Sequence, residues 1–213
     1  MLKSRSLLLM FFLLISFTWL FSSGVWKKTR ASWASESPAP LQPANTFIKN
    51  MHQKAVDAKL YAQQKGYHET ICLMADMSLP SGRDRLFVYD LGKDTIRNAG
   101  LVTHGRCNQY WLEGRKYGNS VGCGCTSLGK YKIGRSYQGR FGLAYKLHGL
   151  EKTNNKAFER FVVLHPHECV PATEVKEEIC QSDGCPTVSP GFLQYLKPII
   201  DAAKKPVLLW IYE

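Results

Sequence analysis

Two residues of this chain have the type and setting for covalent chemistry. Cys185 stands in the stretch Ser182-Asp183-Gly184-Cys185-Pro186, and His165 closes the apolar run Phe161-Val162-Val163-Leu164. A cysteine attacks a carbonyl as thiolate, and an ordinary thiol with a pKa of roughly 8.5 needs a base or a positive neighbour to reach that form. A histidine at the end of an apolar strand is held rigidly enough to serve as that base. Acyl transfer also needs donors for the developing oxyanion, and Gly184 gives the backbone the freedom to turn N–H groups toward the attacked carbonyl.

The same residues admit two other chemistries. The chain has seven cysteines, at positions 72, 107, 123, 125, 169, 180 and 185. Outside the cytosol disulfides persist, so six could pair and one would remain, and Cys185 could be a disulfide partner. Cys169 and Cys180 flank the loop leading to Cys185 and are placed to pin it. Cys107 could close the loop that carries Cys123 or Cys125. The third chemistry is a zinc centre built from His165, His167, Cys169 and a later cysteine, although it lacks the usual pair-plus-pair spacing. His104-Gly105 ends an apolar segment, where His104 either sits in a turn or lines a cleft. His148-Gly149 reads as structural, and Arg135, Tyr137 and Arg140 as a solvated loop or a groove for acidic groups.

The elements that must position these residues are short. Phe47, Met51, Ala55, Ala58 and Ala62 recur at helical spacing after a cap at Asn45 or Thr46, and Gly66 ends that helix. From Glu69 onward the period changes. "ETICLMADMS", "RLFVYDL", "TIRNAGLVTHG", "KYKIGRSY", "LAYKLHGL", "RFVVLHPH" and "VLLWIYE" read as strands with turns between them. The last has no polar interruption and predicts a central strand. Ser189-Pro190 starts a helix, Ser as cap and Pro in the first turn. Pro198 predicts a break, hence two short helical pieces. Tyr145, Trp210 and Tyr212 read as core. The fold class is mainly β, a curled sheet or sandwich with an N-terminal helix and short helices near the C-terminus.

The N-terminal region has a different composition. Lys3 and Arg5 precede an apolar run from Leu7 to Phe21, the layout of an export signal. A cleaved signal over residues 1–26 is the preferred reading, and a membrane anchor through residues 7–26 is the alternative. Both send the chain to the periplasm or cell envelope, the anchor leaving it in the inner membrane. Residues 27–45, rich in Ser, Ala and Pro, read as a linker, so the domain occupies 46–213. The net charge of +11 suits an anionic polymer or acidic substrate. Lys and Arg are scattered and no nucleic-acid motif occurs, so nucleic acid is not the expected partner.

Taken in order, several segments resemble one known family. His165, then residues 166–181, then Ser-x-Gly-Cys is similar to the His and Ser-His-Gly-Cys of L,D-transpeptidase catalytic domains (YkuD-like). "LPSGRDRLFVYDL", "VTHG", "TSLGKYKIG", "LHGLEKTNN", "FVVLHPHECV", "SDGCP" and "KPIIDAAKKPVLLWIY" resemble a divergent branch of that family, over roughly residues 45–213. The resemblance implies an L,D-transpeptidase-like curled β-sandwich and an exported enzyme acting on peptidoglycan stem peptides. It implies Cys185 as nucleophile, forming a thioester on the third stem residue as D-Ala leaves, with an amine or water resolving it. It implies His165 as base, the Pro166 carbonyl as its orienting group, Gly184 and Cys185 N–H groups as oxyanion hole, and Ser182 as a loop-orienting hydroxyl. No cofactor or metal is implied.

Two departures from that family bear on recognition. Asp183 stands where the family has His, and Pro186-Thr187 follow where an Arg or Asn is common. Asp183 would raise the thiol pKa if it faced the sulfur; turned away, it could bind a substrate amine. His167 and His104 are the further candidates for substrate contact. Two rival functions follow from the same residues: an inactive peptidoglycan-binding module of this fold, and a zinc hydrolase using the His/Cys cluster.

Overall fold

The computed structural model describes residues 44–213; the signal, anchor and most of the linker read from the sequence lie outside the described residues. Helix α1 (Ala44–Lys65) starts slightly before the expected cap and ends at Gly66, whose φ of +73° is a conformation that suits glycine. Met51, Ala55, Ala58 and Ala62 are its buried stripe, as the spacing predicts. Among the described residues no helix is long and apolar enough to cross a membrane.

Eight strands follow: β1 (Ile71–Asp76), β2 (Leu86–Asp90), β3 (Thr95–Gly100), β4 (Gly129–Gly139), β5 (Gly142–Gly149), β6 (Val163–Pro166), β7 (Thr187–Val188) and β8 (Leu208–Tyr212), with α2 (Pro190–Asp201) before β8. They form one mixed sheet in the order β3-β2-β1-β8-β4-β5-β6-β7. The apolar C-terminal strand β8 is central as expected, parallel to β1 and antiparallel to β4. Tyr145 and Tyr212 are buried. Trp210 is half-buried instead, with the Lys130 ammonium 3.9 Å from its ring centre.

Helix α2 buries Phe192, Leu193, Leu196 and Ile200 in the main core with Leu147, Leu164 and Leu209 from the sheet. Ser189 caps it, its hydroxyl accepting from the Phe192 N–H. Pro198 does not split it into two pieces. The proline stands near the helix end, so the helix lacks one backbone bond there and continues only to Asp201.

The part of this topology that matters for chemistry is the parallel pairing of β6 with β7, which sets His165 beside Thr187 and Pro166 beside Val188. Cys185 precedes Thr187 by two residues, so the pairing brings His165 and Cys185 to one sheet edge. Outside the strands, Thr103–Arg106 runs alongside Ser182–Thr187. Thr103 N–H donates to Thr187 O, Ser182 N–H to His104 O, and Arg106 N–H to Ser182 O.

Candidate active site

The turn carrying Cys185 is held by its own polar atoms. The Ser182 hydroxyl accepts from Gly184 N–H at 3.1 Å and donates to the Cys185 carbonyl at 2.7 Å. The Thr103 hydroxyl donates to the same carbonyl at 3.1 Å. Gly184 has φ +107°, and a Cβ there would stand 2.6 Å from the Cys125 carbonyl oxygen. Both observations require glycine. Ser182 thus orients the loop, but it also occupies the Gly184 N–H. The Cys185 N–H has no hydrogen-bond partner among the described residues and is the donor left for an oxyanion.

Cys185 is a free thiol, so it is not the disulfide partner the cysteine count allowed. Its Sγ accepts from Val163 N–H at 3.5 Å and contacts the Phe161 carbonyl oxygen at 3.8 Å. Burial pushes its pKa up; the Val163 N–H and the nearby Arg160 charge oppose that, and Asp183 adds to it.

The imidazole of His165 is oriented from both sides. Its Nδ1 lies 3.0 Å from the Pro166 carbonyl oxygen and its Nε2 lies 3.0 Å from the Thr187 hydroxyl. A carbonyl only accepts, so Nδ1 carries the proton and Nε2 presents a lone pair, which here accepts from Thr187. Burial lowers the His165 pKa below the usual value, the Pro166 carbonyl opposes that, and His167 adds to the lowering. The resting pair is therefore a neutral imidazole and a neutral thiol. No hydrogen bond links Sγ to the ring in this arrangement.

The other sequence candidates separate. His167 is half-buried, accepts from Cys169 N–H at 3.0 Å and meets the edge of Phe141. Asp183 is exposed and pairs with Arg106 at 2.8 Å, and its charge still reaches the Cys185 thiol. His104 is not a cleft residue. It is 1% exposed, its Nδ1 is 3.2 Å from the guanidinium of the fully buried Arg85, and burial takes its pKa down to about 4. Its carbonyl supports Ser182, so it acts from behind the loop. His148 stacks on Phe158 and is structural in that sense.

The cysteines form two disulfides rather than three. Cys169–Cys180 pins the loop before Cys185, as its flanking positions suggest, and Cys107 pairs with Cys125. Cys72, Cys123 and Cys185 remain free. The Cys72 thiol is buried in β1, its pKa pushed up to about 12, and no other cysteine reaches it through a bond. Because the Cys169 sulfur is committed to Cys180, the proposed zinc set of His165, His167 and Cys169 is not assembled.

Sequence reasoning missed four residues around this site. Arg160 donates through Nη1 to Gly118 O at 3.0 Å and to the Ser127 hydroxyl, and through Nη2 to Cys125 O at 2.5 Å. It ties the 118–127 loop beneath Gly184. Thr103 and Thr187 hold the Cys185 carbonyl and His165. Phe141, at the β4–β5 turn, stacks on His165 with ring centres 5.0 Å apart. No local signal marks them, since each acts on a residue far away in sequence. Phe161 was placed inside a strand, yet its φ of +56° ends the preceding turn; the residue is 84% exposed and its carbonyl, not its ring, meets Cys185.

Two clefts open on this side of the sheet, neither lined by Cys185 or His165. One of about 590 Å³ is lined by Phe141, Leu143, Pro166, His167, Leu193 and Lys197. The other, about 1030 Å³, is lined in part by Lys132, Arg135, Tyr137, Lys146, His148 and Phe158. Lys146 pairs across the sheet with Val163, whose N–H meets the Cys185 sulfur, so the cationic cleft begins one strand from the thiol.

Comparison with known proteins gives one family. The family model described as "L,D-transpeptidase catalytic domain" matches residues 44–212. Among curated proteins nothing matches. Among solved structures, the chain is similar to a mutant of the helical cell shape determining protein Pgp2 from Campylobacter jejuni, at 12% identity and a TM-score of 0.47. That similarity covers 76% of this chain and 56% of that one.

Proposed function

From the premise that this chain belongs to the L,D-transpeptidase catalytic domain family, we propose that it is an exported cysteine acyltransferase of the cell wall, a transpeptidase or carboxypeptidase acting on peptidoglycan stem peptides. The Thr187 hydroxyl turns from Nε2 to its other acceptor, the Cys185 carbonyl, and the Cys185 thiol rotates to the freed His165 Nε2 and gives up its proton as sulfur attacks the stem-peptide carbonyl. The oxyanion meets the Cys185 N–H. The imidazolium returns its proton to the departing amine and a thioester remains. A second amine or water, deprotonated by the same Nε2, then resolves the thioester. The Pro166 carbonyl keeps Nδ1 protonated and supports the imidazolium while it exists.

The observation that carries this reading is the free Cys185 thiol, on a self-braced turn with an unused N–H, at the same sheet edge as an imidazole whose tautomer presents Nε2. The cationic cleft supports an acidic substrate, and the Phe141 ring stacked on His165 offers apolar cover at the base. Intact mass after incubation with a carbapenem should show a single covalent adduct that disappears in Cys185→Ala. Digestion of isolated peptidoglycan, with products identified by mass, then separates cross-linking from trimming.

One observation favours a second reading, a binding module without catalysis: the thiol is hydrogen-bonded away from His165 and burial opposes its ionisation. Absence of any adduct, with sacculus binding unchanged in Cys185→Ala, would establish that module and overturn the enzyme.

A further inference from the structure

A free thiol stands beside a disulfide, away from the Cys185 sulfur. Cys107 is bonded to Cys125, and Cys123, two residues before Cys125, is free and half-buried. Gly118 keeps the space between them open. A Cβ built at Gly118 would lie 3.4 Å from the Cys123 Sγ and 3.4 Å from the Cys125 Sγ, so both sulfurs border one point that glycine leaves empty. The turn that presents Cys123 is built on glycine at both sides. Gly122 and Gly124 flank it at φ +76° and +62°, where glycine is at ease.

We propose that Cys107, Cys123 and Cys125 form an intramolecular thiol–disulfide exchange site with Cys123 as the attacking thiol. The Cys123 thiolate attacks Cys125 Sγ. A Cys123–Cys125 bond forms as the Cys107–Cys125 bond breaks, and the electron pair leaves on Cys107. Cys107 takes up a proton equivalent to the one Cys123 released. One disulfide and one thiol exist before and after, so the step needs no oxidant or reductant.

The exchange bears on the turn that carries Cys185. Cys107 follows Arg106, which holds that turn through Ser182 O and Asp183, each at 2.8 Å. Cys125 holds it from the other side, its carbonyl fixed by Arg160 and pressed against Gly184. The Cys107–Cys125 bond joins these two supports covalently, beside hydrogen bonds from Cys107 N–H to Gly124 O and from Gly105 N–H to the Thr126 hydroxyl, and exchange removes the covalent link. The resting form thus has a braced Cys185 turn and the exchanged form a loosened one. This consequence for activity rests on Cys185 being the nucleophile; the exchange itself does not.

The test maps sulfurs rather than activity. The full chain is held in neutral to mildly alkaline buffer, sampled over time, acid-quenched, labelled with a maleimide, digested and mapped by mass. Label shifting from Cys123 to Cys107 is the expected result. The approach to equilibrium should quicken as the buffer is made more alkaline, because the thiolate is the attacking form. Cys123→Ser should hold Cys107–Cys125 alone. Label remaining wholly on Cys123 at every time and pH, or moving to Cys125, overturns the exchange as written. The coupling is read by iodoacetamide labelling of Cys185, expected to differ severalfold between Cys107→Ser and Cys123→Ser; equal rates overturn it. Neither readout uses peptidoglycan, so failure here is distinct from failure of the transpeptidase reading.

Discussion

Both members of the Cys185–His165 pair are held neutral, and burial is the first cause in each. A thiol raised and an imidazole lowered make a general-base pair rather than a resting ion pair. The sign for pH follows. His165 stays an unprotonated base as pH falls through the ordinary value of 6.5, and it is lost only below that. Carbapenem acylation measured against pH should therefore keep its acid limb below 6.5. A limb at or above that value would show that another group supplies the base. Gly184 allows a sharper test of the turn. Gly184→Ala forces a Cβ against the Cys125 carbonyl at positive φ, and should cost at least about 1 kcal/mol in urea unfolding. Its acylation rate should fall further than its stability, because the displaced residue is the neighbour of Cys185, the proposed nucleophile. The Gly, the His and the Cys were legible as types in sequence. The occupation of Gly184 N–H by Ser182 was not, because it depends on how the turn closes.

Among the elements, the 169–180 loop shows what a short disulfide contributes. Its bond joins residues 11 apart in sequence and covers a small cluster of Leu101, Val170 and Ile179. Replacing both cysteines with Ser should lower unfolding stability by about 2–3 kcal/mol, chiefly through the unfolded chain. Thermal unfolding of the double variant checks this; a loss confined to Cys185 labelling, with no change in stability, would make the bond a local brace instead. Helices and strands were mostly readable, because burial stripes, the Ser189 cap and the uninterrupted β8 run are local patterns. Pro198 misled, since a proline close to a helix end removes one bond without ending the helix. The strand ending at His165 also proved shorter than its apolar run, because Phe161 takes a left-handed conformation and the strand starts at Val163.

At the scale of the whole molecule, a buried guanidinium against a neutral imidazole props the Cys185 edge from behind. Arg85 is fully buried, donates to Val102 and Leu79 carbonyls, and lies against His104, whose carbonyl in turn holds Ser182. His104 has a folded pKa of about 4 against an ordinary 6.5. A depressed folded value means that the unfolded chain binds the proton first, so stability is present above 6.5 and is lost as pH falls toward 4. The slope attributable to this residue is up to about 1.4 kcal/mol per pH unit. His104→Gln should flatten the urea-unfolding profile through that window relative to the parent chain; an unchanged slope would place the titration elsewhere. The sequence by itself determined the mainly β class, the central last strand, and the His165 and Cys185 types in a recognisable order, because periodicity, caps and motifs are properties of neighbouring residues. Tertiary structure alone decided that Cys107 pairs with Cys125 while Cys123 stays free. It also decided that His104 is buried, and that Arg160, Thr103, Thr187 and Phe141 serve the site. Those outcomes depend on the parallel β6–β7 pairing and on loops packed from opposite ends of the chain, and proximity of that kind leaves no local pattern to read.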